Sequence, residues 1–189
     1  MSGSFLNLFL AQAKDWCRGK NPYVRLPFLL GFAYILFRHW LDPMHSDILG
    51  WLNWGIHELG HIIFSPFGQF MGITGGEITQ FSAPILGMVN FWRQRDFFSI
   101  ALCFGWLSCS LFKTAAYVAD ARSISLPMAV PFYSGGDIIH DWNYILTRMG
   151  LLDYDIALAV FIKIIASFAM FACFIFGGWL LWRMGARKT

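Results

Sequence analysis

Two histidines and a glutamate stand in the middle of a long apolar stretch, at a spacing suited to metal chemistry. His57, Glu58 and His61 form the pattern His-Glu-x-x-His within residues 51–66. On a helix, positions four apart lie on the same face, so His57 and His61 can direct two imidazoles at one metal ion. Glu58 follows the first histidine, where its carboxylate can take a proton from a water held by the metal. The pattern predicts a zinc-dependent hydrolase with Glu58 as the catalytic base.

Other interpretations of this cluster remain open on the sequence. The histidines could hydrogen-bond neighbouring helices while Glu58 pairs with an arginine, or they could ligate a haem or another pigment. A pigment site requires neither the glutamate nor a second histidine one turn away. A di-iron hydroxylase fits poorly, because such sites need more histidines than the 5 in this chain. Ionisable residues inside apolar segments are costly to bury and usually mark a functional site.

A catalytic zinc requires a third protein ligand and an open position. The best local cluster is His140 and Asp141, at the start of a later helix. Either could bind: with Asp141 as the ligand, His140 could stabilise an oxyanion, and with His140 as the ligand, Asp141 or Asp137 could orient an imidazole. Asp137 and Asp120 are further candidates, and Glu77 is a weaker one. Helix capping is the alternative role for Asp137, and a local pair with an arginine is the preferred role for Asp120.

The composition indicates an integral membrane protein. Of the 189 residues, 57% are hydrophobic and 13% are charged, whereas a soluble domain carries about a quarter charged residues. The apolar runs are long and continuous rather than alternating, which favours an all-α fold over a strand barrel. We expect an amphipathic interfacial segment at 1–22 and a single polytopic membrane domain at 23–185. The small net charge of +3, with basic residues clustered at the two ends, suits membrane lipids as partners and no nucleic acid.

The pattern of apolar runs and breakers predicts about six transmembrane helices. Ser46 or Asp47 would cap the helix that carries the histidines, and proline and glycine would end it near 65–68. The glycine-rich segment 71–80 is predicted to be irregular backbone, either lining the metal cavity or forming a plain turn. Both termini are basic and therefore cytoplasmic, which requires an even number of crossings and puts Arg93 and Arg95 on the far side. The remaining spans are predicted at 24–41, 78–92, 97–119, 132–149 and 156–182.

These motifs resemble the site-2 protease family of intramembrane zinc metalloproteases, in particular its minimal bacterial members. The resemblance rests on His57-Glu58-Leu59-Gly60-His61, on the later pair Gly75-Gly76, and on an aspartate that opens another helix. It covers residues 48–146, which would form the metalloprotease-like core. The family's Leu-Asp-Gly triplet is replaced here by His140-Asp141-Trp142, and its asparagine near the glycine-rich segment has Gln80 as the nearest equivalent.

The resemblance implies a function and a ligand set. His57, His61 and a distant aspartate would bind zinc, and Glu58 would be the general base for hydrolysis of peptide bonds in or near transmembrane segments. The substrate would be a transmembrane protein, and the chain would be a multi-pass protein of a bacterial inner membrane. The alternative is a non-catalytic structural or assembly subunit of a larger membrane complex that retains a protease-like scaffold. The missing Leu-Asp-Gly triplet and the nine tryptophans favour this alternative.

Overall fold

The computed structural model describes residues 5–42, 44–45, 47–126 and 139–186, and all regular structure in these ranges is helical. The prediction of an all-α fold is therefore confirmed. The helices are α1 (Phe5–Trp16), α2 (Leu26–Leu41), α3 (Ile48–Phe64), α4 (Gln69–Arg93), α5 (Phe97–Ala119), α6 (Asp141–Met149) and α7 (Asp155–Gly185). Short 3-10 turns at Ser65–Phe67 and Leu152–Tyr154 precede α4 and α7.

Helix α5 forms the centre of the bundle. It packs along α7 and α4 and also touches α2, α3 and α6, while α3 packs chiefly against α4. Small residues allow the close approach: a Cβ on Gly105 would lie 2.6 Å from the Phe32 ring and 3.1 Å from the Cys173 sulfur. The Ser108 hydroxyl also donates to the Ala166 carbonyl of α7 across 2.8 Å. This pairing of small residues with a hydroxyl bond is typical of helices that meet in an apolar environment.

The helix that carries the histidines begins where the sequence predicts. The Asp47 carboxylate accepts the Gly50 N–H at 2.8 Å, so Asp47 is the N-cap of α3. Its other oxygen pairs with the His39 ring on α2, which fixes the connection between the two helices. Ser46, the other predicted cap, lies outside the described residues. Asp47 thus fixes the start of α3, the helix from which His57 contacts α6 and His61 contacts α4.

Two predicted features differ from the structure. The segment 71–80 is continuous helix within α4 rather than irregular backbone, because its glycines pack against α3 and the packing outweighs their low helix propensity. Helix α6 has nine residues and is about 14 Å long. It is therefore too short to cross a membrane alone. Helix α6 is the second half of the predicted span 132–149, and residues 132–138 of that span lie outside the described residues.

Two stretches within the described part of the chain are long and apolar enough to cross a membrane. They are residues 97–119 and 152–185, and α2 is a shorter apolar helix. Helix α5 is largely buried among its neighbours, whereas α7 exposes Phe161, Phe168 and Ile175 by more than half. A row of exposed large apolar side chains on a long helix is what a lipid-facing surface requires.

Candidate metal centre

Three of the predicted ligands converge on one point. Asp141 Oδ2 lies 3.0 Å from His57 Nε2 and 3.4 Å from His61 Nε2. The two imidazole rings stand nearly perpendicular, with centroids 4.6 Å apart. One ligand atom from each of the three residues lies within 4.8 Å of the others, and this is the group of metal-binding residue types found among the described residues. The structure thus brings Asp141, and not its neighbour, to the histidines.

The spacing of these atoms fits a tetrahedral metal site. Zinc–nitrogen and zinc–oxygen bonds of about 2.0–2.1 Å place neighbouring ligand atoms about 3.3 Å apart in tetrahedral geometry. The two distances to Asp141 Oδ2, 3.0 and 3.4 Å, bracket that value. Two imidazoles and one carboxylate make three ligands and leave a fourth position for substrate or water. Such a donor set is typical of catalytic rather than structural zinc.

A backbone carbonyl on α4 fixes the tautomer of His61. The Gly72 carbonyl lies 2.9 Å from His61 Nδ1. A carbonyl oxygen can only accept, so Nδ1 carries the hydrogen and Nε2 presents its lone pair toward Asp141. Partners of this kind orient metal-binding histidines and raise their basicity. Helix α4 therefore contributes to the site through its backbone, which no side-chain pattern could predict.

The glycine pair of α4 makes room for the two imidazoles. A Cβ on Gly76 would lie 2.7 Å from His57 Nε2 and 2.8 Å from His61 Cε1. A Cβ on Gly75 would lie 2.5 Å from the Phe64 side chain, and one on Gly60 would collide with the Gly75 carbonyl. The segment 71–80, which contains Gly75 and Gly76, was predicted either to line the cavity or to form a turn, and the contacts of Gly76 favour a place at the cavity. Their role is close helix packing rather than irregular backbone.

We expect Gly76→Ala to weaken zinc binding by at least about 10-fold, because its methyl group would displace both imidazoles from their present positions. Isothermal titration with zinc measures the effect. The matched control is Gly55→Ala on α3, where a Cβ meets nothing within 4 Å. Both substitutions raise helix propensity by the same amount. Equal zinc affinity in the two variants would show that the rings do not hold the metal in this arrangement.

A buried carboxylate on α4 holds the start of α6, where Asp141 lies. Glu77 on α4 accepts the Trp142 indole N–H at 2.8 Å with one oxygen and the Thr114 hydroxyl at 3.1 Å with the other. The carboxylate is only 6% exposed. Trp142 follows Asp141 directly, so this bond fixes the start of α6 relative to α4 and α5. The sequence made Glu77 a weaker ligand candidate. In the structure it instead positions the Asp141 backbone through its bond with Trp142.

His140 and Asp120 lie outside the cluster. His140 Nδ1 accepts the Asn143 N–H at 3.2 Å and caps α6, while its ring stacks on Tyr117 with centroids 4.1 Å apart. Its Nε2 lies 3.5 Å from Asp120. Burial opposes ionisation of Asp120, but hydrogen bonds from the Ser123 and Ser125 hydroxyls and from two backbone N–H groups hold the pKa of that carboxyl well below its usual range. Asp137, the remaining candidate, lies outside the described residues.

Glu58 is free to act at the centre. It is half-buried and lies within electrostatic range of His57, His61 and Asp141. Among the residues that the structure describes, no arginine or hydrogen-bond donor holds its carboxylate. The interpretation in which Glu58 pairs with an arginine therefore has no support in this part of the chain. A carboxylate without a fixed partner beside two imidazoles is suited to proton transfer.

Sequence reasoning missed several residues of this site. Trp142 and Thr114 bind Glu77, and the Gly72 carbonyl binds His61. The one signal in the sequence was Glu77 itself, since a carboxylate in an apolar segment needs donors from neighbouring helices. Comparison with known proteins adds nothing to the geometry: no family model, curated protein or solved structure matches the chain.

Proposed function

We propose that this chain is an integral membrane zinc metalloprotease, similar to the site-2 proteases, that hydrolyses peptide bonds in or near transmembrane segments. The observation that carries the proposal is the convergence of His57, His61 and Asp141 on one point, with Glu58 beside them. The three residues belong to two helices, and His57 and Asp141 are 84 positions apart in sequence. Burying two imidazoles and a carboxylate together in an apolar bundle costs free energy, so such a cluster usually marks a functional site.

The chemistry divides between a metal and the chain. A zinc ion held by the three side chains would polarise the scissile carbonyl and activate a water molecule. Glu58 accepts a proton from that water as the new carbon–oxygen bond forms. It then donates the proton to the leaving amide nitrogen as the carbon–nitrogen bond breaks. The Gly72 carbonyl holds His61 in the correct tautomer. Glu77 holds Asp141 in place through its bond with the adjacent Trp142.

Tyr117 is the best-placed hydrogen-bond donor to stabilise the negative charge that develops on the substrate carbonyl oxygen. Its ring is fixed by stacking on His140, and its hydroxyl makes no hydrogen bond within the described ranges. The side chain is within electrostatic range of Asp141, Glu77 and Glu58, which border the centre. A neutral phenol hydroxyl in this position can donate to an oxyanion as it forms.

The proposed arrangement is multi-pass, with fewer crossings than the sequence predicts. Helices α2, α4, α5 and α7 have 16, 25, 23 and 31 residues, which correspond to about 24 to 46 Å. In the proposed arrangement these four helices cross the membrane, and α3, with 17 residues, carries two ligands without crossing. Four is an even number, so both termini still lie on one side. The membrane would be a bacterial inner membrane, as the resemblance implies.

A cleavage assay with metal removal tests the proposal. The purified chain in proteoliposomes should cut a co-reconstituted single-span peptide. We expect a zinc chelator to abolish cleavage and added zinc to restore it, because in this proposal the reaction takes place at the open fourth position of the metal. Cleavage that resists the chelator would exclude the metalloprotease function. Zinc binding without cleavage of any single-span peptide tested, together with fixed-stoichiometry co-purification with other subunits, would favour the structural alternative.

A further inference from the structure

Helix α1 and the ends of three other helices gather at one end of the bundle. On α1, Phe5 packs against Trp92 with ring centroids 5.8 Å apart, and Phe9 packs against Phe97 at 5.2 Å. Just after α1, the Cys17 thiol bonds to the Leu180 carbonyl near the end of α7. Thus α1, the end of α4, the start of α5 and the end of α7 lie together. We call this the α1 end.

Most basic residues belong to the α1 end. Arg93 ends α4 and Arg95 lies in the connection to α5, at the same end of the bundle as α1, which differs from their predicted position on the far side. Lys20 and Arg25 lie over the Trp16 ring, and Arg183 lies over the Trp182 ring, at 4.6 to 5.2 Å. Among the described residues, the basic set of the α1 end is Lys14, Arg18, Lys20, Arg25, Arg93, Arg95 and Arg183.

The opposite end is poorer in unpaired positive charge. It holds Arg38, Arg122 and Arg148, and Arg122 is bound to Asp155 at 2.7 Å. Lys113 and Lys163 lie within helices α5 and α7 rather than in a connection. Basic residues in short connections determine which side of a membrane protein stays in the cytoplasm. The charge distribution therefore assigns the α1 end to the cytoplasmic side.

The metal centre lies far from the α1 end. On α5, Thr114 lies about 26 Å and Tyr117 about 30 Å from the helix start at Phe97. On α4, Glu77 lies about 24 Å from the helix end at Arg93. The hydrocarbon core of a bilayer is about 30 Å thick. Because Thr114 and Glu77 border the centre, the centre lies near the interface opposite the α1 end.

We infer that the metal centre opens toward the extracytoplasmic side of the membrane, and that its substrates are membrane-inserted segments whose scissile bond lies in the outer half of the bilayer. The part of this inference that concerns substrates rests on the proposed function. The orientation of the chain in the membrane rests only on helix contacts and charge. The fragment released beyond the cut would leave on the outer face. A bond near the cytoplasmic interface would lie about 20 Å or more from Glu58.

Site-directed labelling tests the orientation without reference to activity. Gln94 in the α4–α5 connection and Tyr154 before α7 are exposed and uncharged, and cysteines placed there leave the charge pattern unchanged. The four native cysteines are buried, so they give little background. We expect a membrane-impermeant maleimide to label Tyr154→Cys on intact spheroplasts and Gln94→Cys only after lysis. The reverse pattern, or labelling of both on intact spheroplasts, would overturn the inference.

A substrate series separates this inference from the proposed function. Single-span peptides of fixed orientation would carry one helix-destabilising glycine pair near either the outer or the inner interface. We expect cleavage at the outer position to exceed cleavage at the inner position by at least about 10-fold. Chelator-sensitive cleavage confined to the inner position would overturn the inference and leave the protease function intact. If neither peptide is cut, the function fails and the labelling result alone decides the orientation.

Discussion

Glu58→Gln should abolish peptide cleavage while the protein keeps its zinc. Glutamine preserves the size and shape of the side chain but cannot accept a proton from the attacking water. The loss of a general base costs about 10²- to 10⁴-fold in rate. Zinc should remain, because its proposed ligands are His57, His61 and Asp141. Elemental analysis and the proteoliposome assay, carried out on the same preparation, measure both quantities.

The control for Glu58→Gln is Asp153→Asn, which neutralises a carboxylate in the turn before α7. This exposed residue lies outside the cluster, and its variant should keep both zinc and activity. Two results would contradict the role given to Glu58. Full activity in Glu58→Gln would exclude it as the base, and loss of zinc from this variant would make it a ligand instead.

Much of the fold was accessible from the sequence where a single physical signal dominated. Helix α5 has the predicted bounds, since Asp96 and Asp120 flank a predominantly apolar run. Helix α3 starts at a predicted cap, because Asp47 is the last polar residue before the apolar segment that begins at Ile48. In both cases the burial of apolar side chains and the needs of a helix end favour the same boundary.

The predictions failed where tertiary packing opposed local preference. Gly72, Gly75 and Gly76 favour a turn by intrinsic propensity, yet they lie in continuous helix because Gly75 and Gly76 let α4 pack directly against α3 and the imidazoles. The side on which Arg93 and Arg95 lie depends on how many helices cross the bundle. In the proposed arrangement α3 does not cross, so two crossings rather than the predicted three precede Arg93 and Arg95, and composition alone could not decide this.

The choice between His140 and Asp141 shows a second limit of sequence reasoning. Adjacent residues at a helix start point in different directions, and the direction depends on which residue is the N-cap. His140 takes the cap through its ring nitrogen, an unusual choice compared with serine or aspartate. Asp141 then occupies the first helical position, facing α3. The bond from Trp142 to Glu77 fixes the orientation of this helix start. Nothing in the sequence indicates that these two residues are bonding partners.

Asp141→Asn should weaken zinc binding by at least about 100-fold and remove activity with it, since the loss of a direct ligand exceeds the 10- to 100-fold cost of losing an orienting partner. Asparagine keeps the side chain's shape and its place at the start of α6, but it presents a neutral amide to the two imidazoles. Its helix should still form, because the cap on His140 is unchanged. Zinc titration of the purified variant measures the affinity, and circular dichroism confirms the helical content.

The matched control is His140→Asn, in the adjacent position. Asparagine is a favoured N-cap, so α6 keeps its start, while any imidazole ligand at this position is removed. We expect this variant to bind zinc as the unmodified chain does, because His140 faces Asp120 and Tyr117 rather than the other two histidines. The opposite pattern, with zinc lost from His140→Asn and kept by Asp141→Asn, would make His140 the third ligand. The contacts of Asp141 with His57 and His61 would then be a plain histidine–carboxylate pairing between helices.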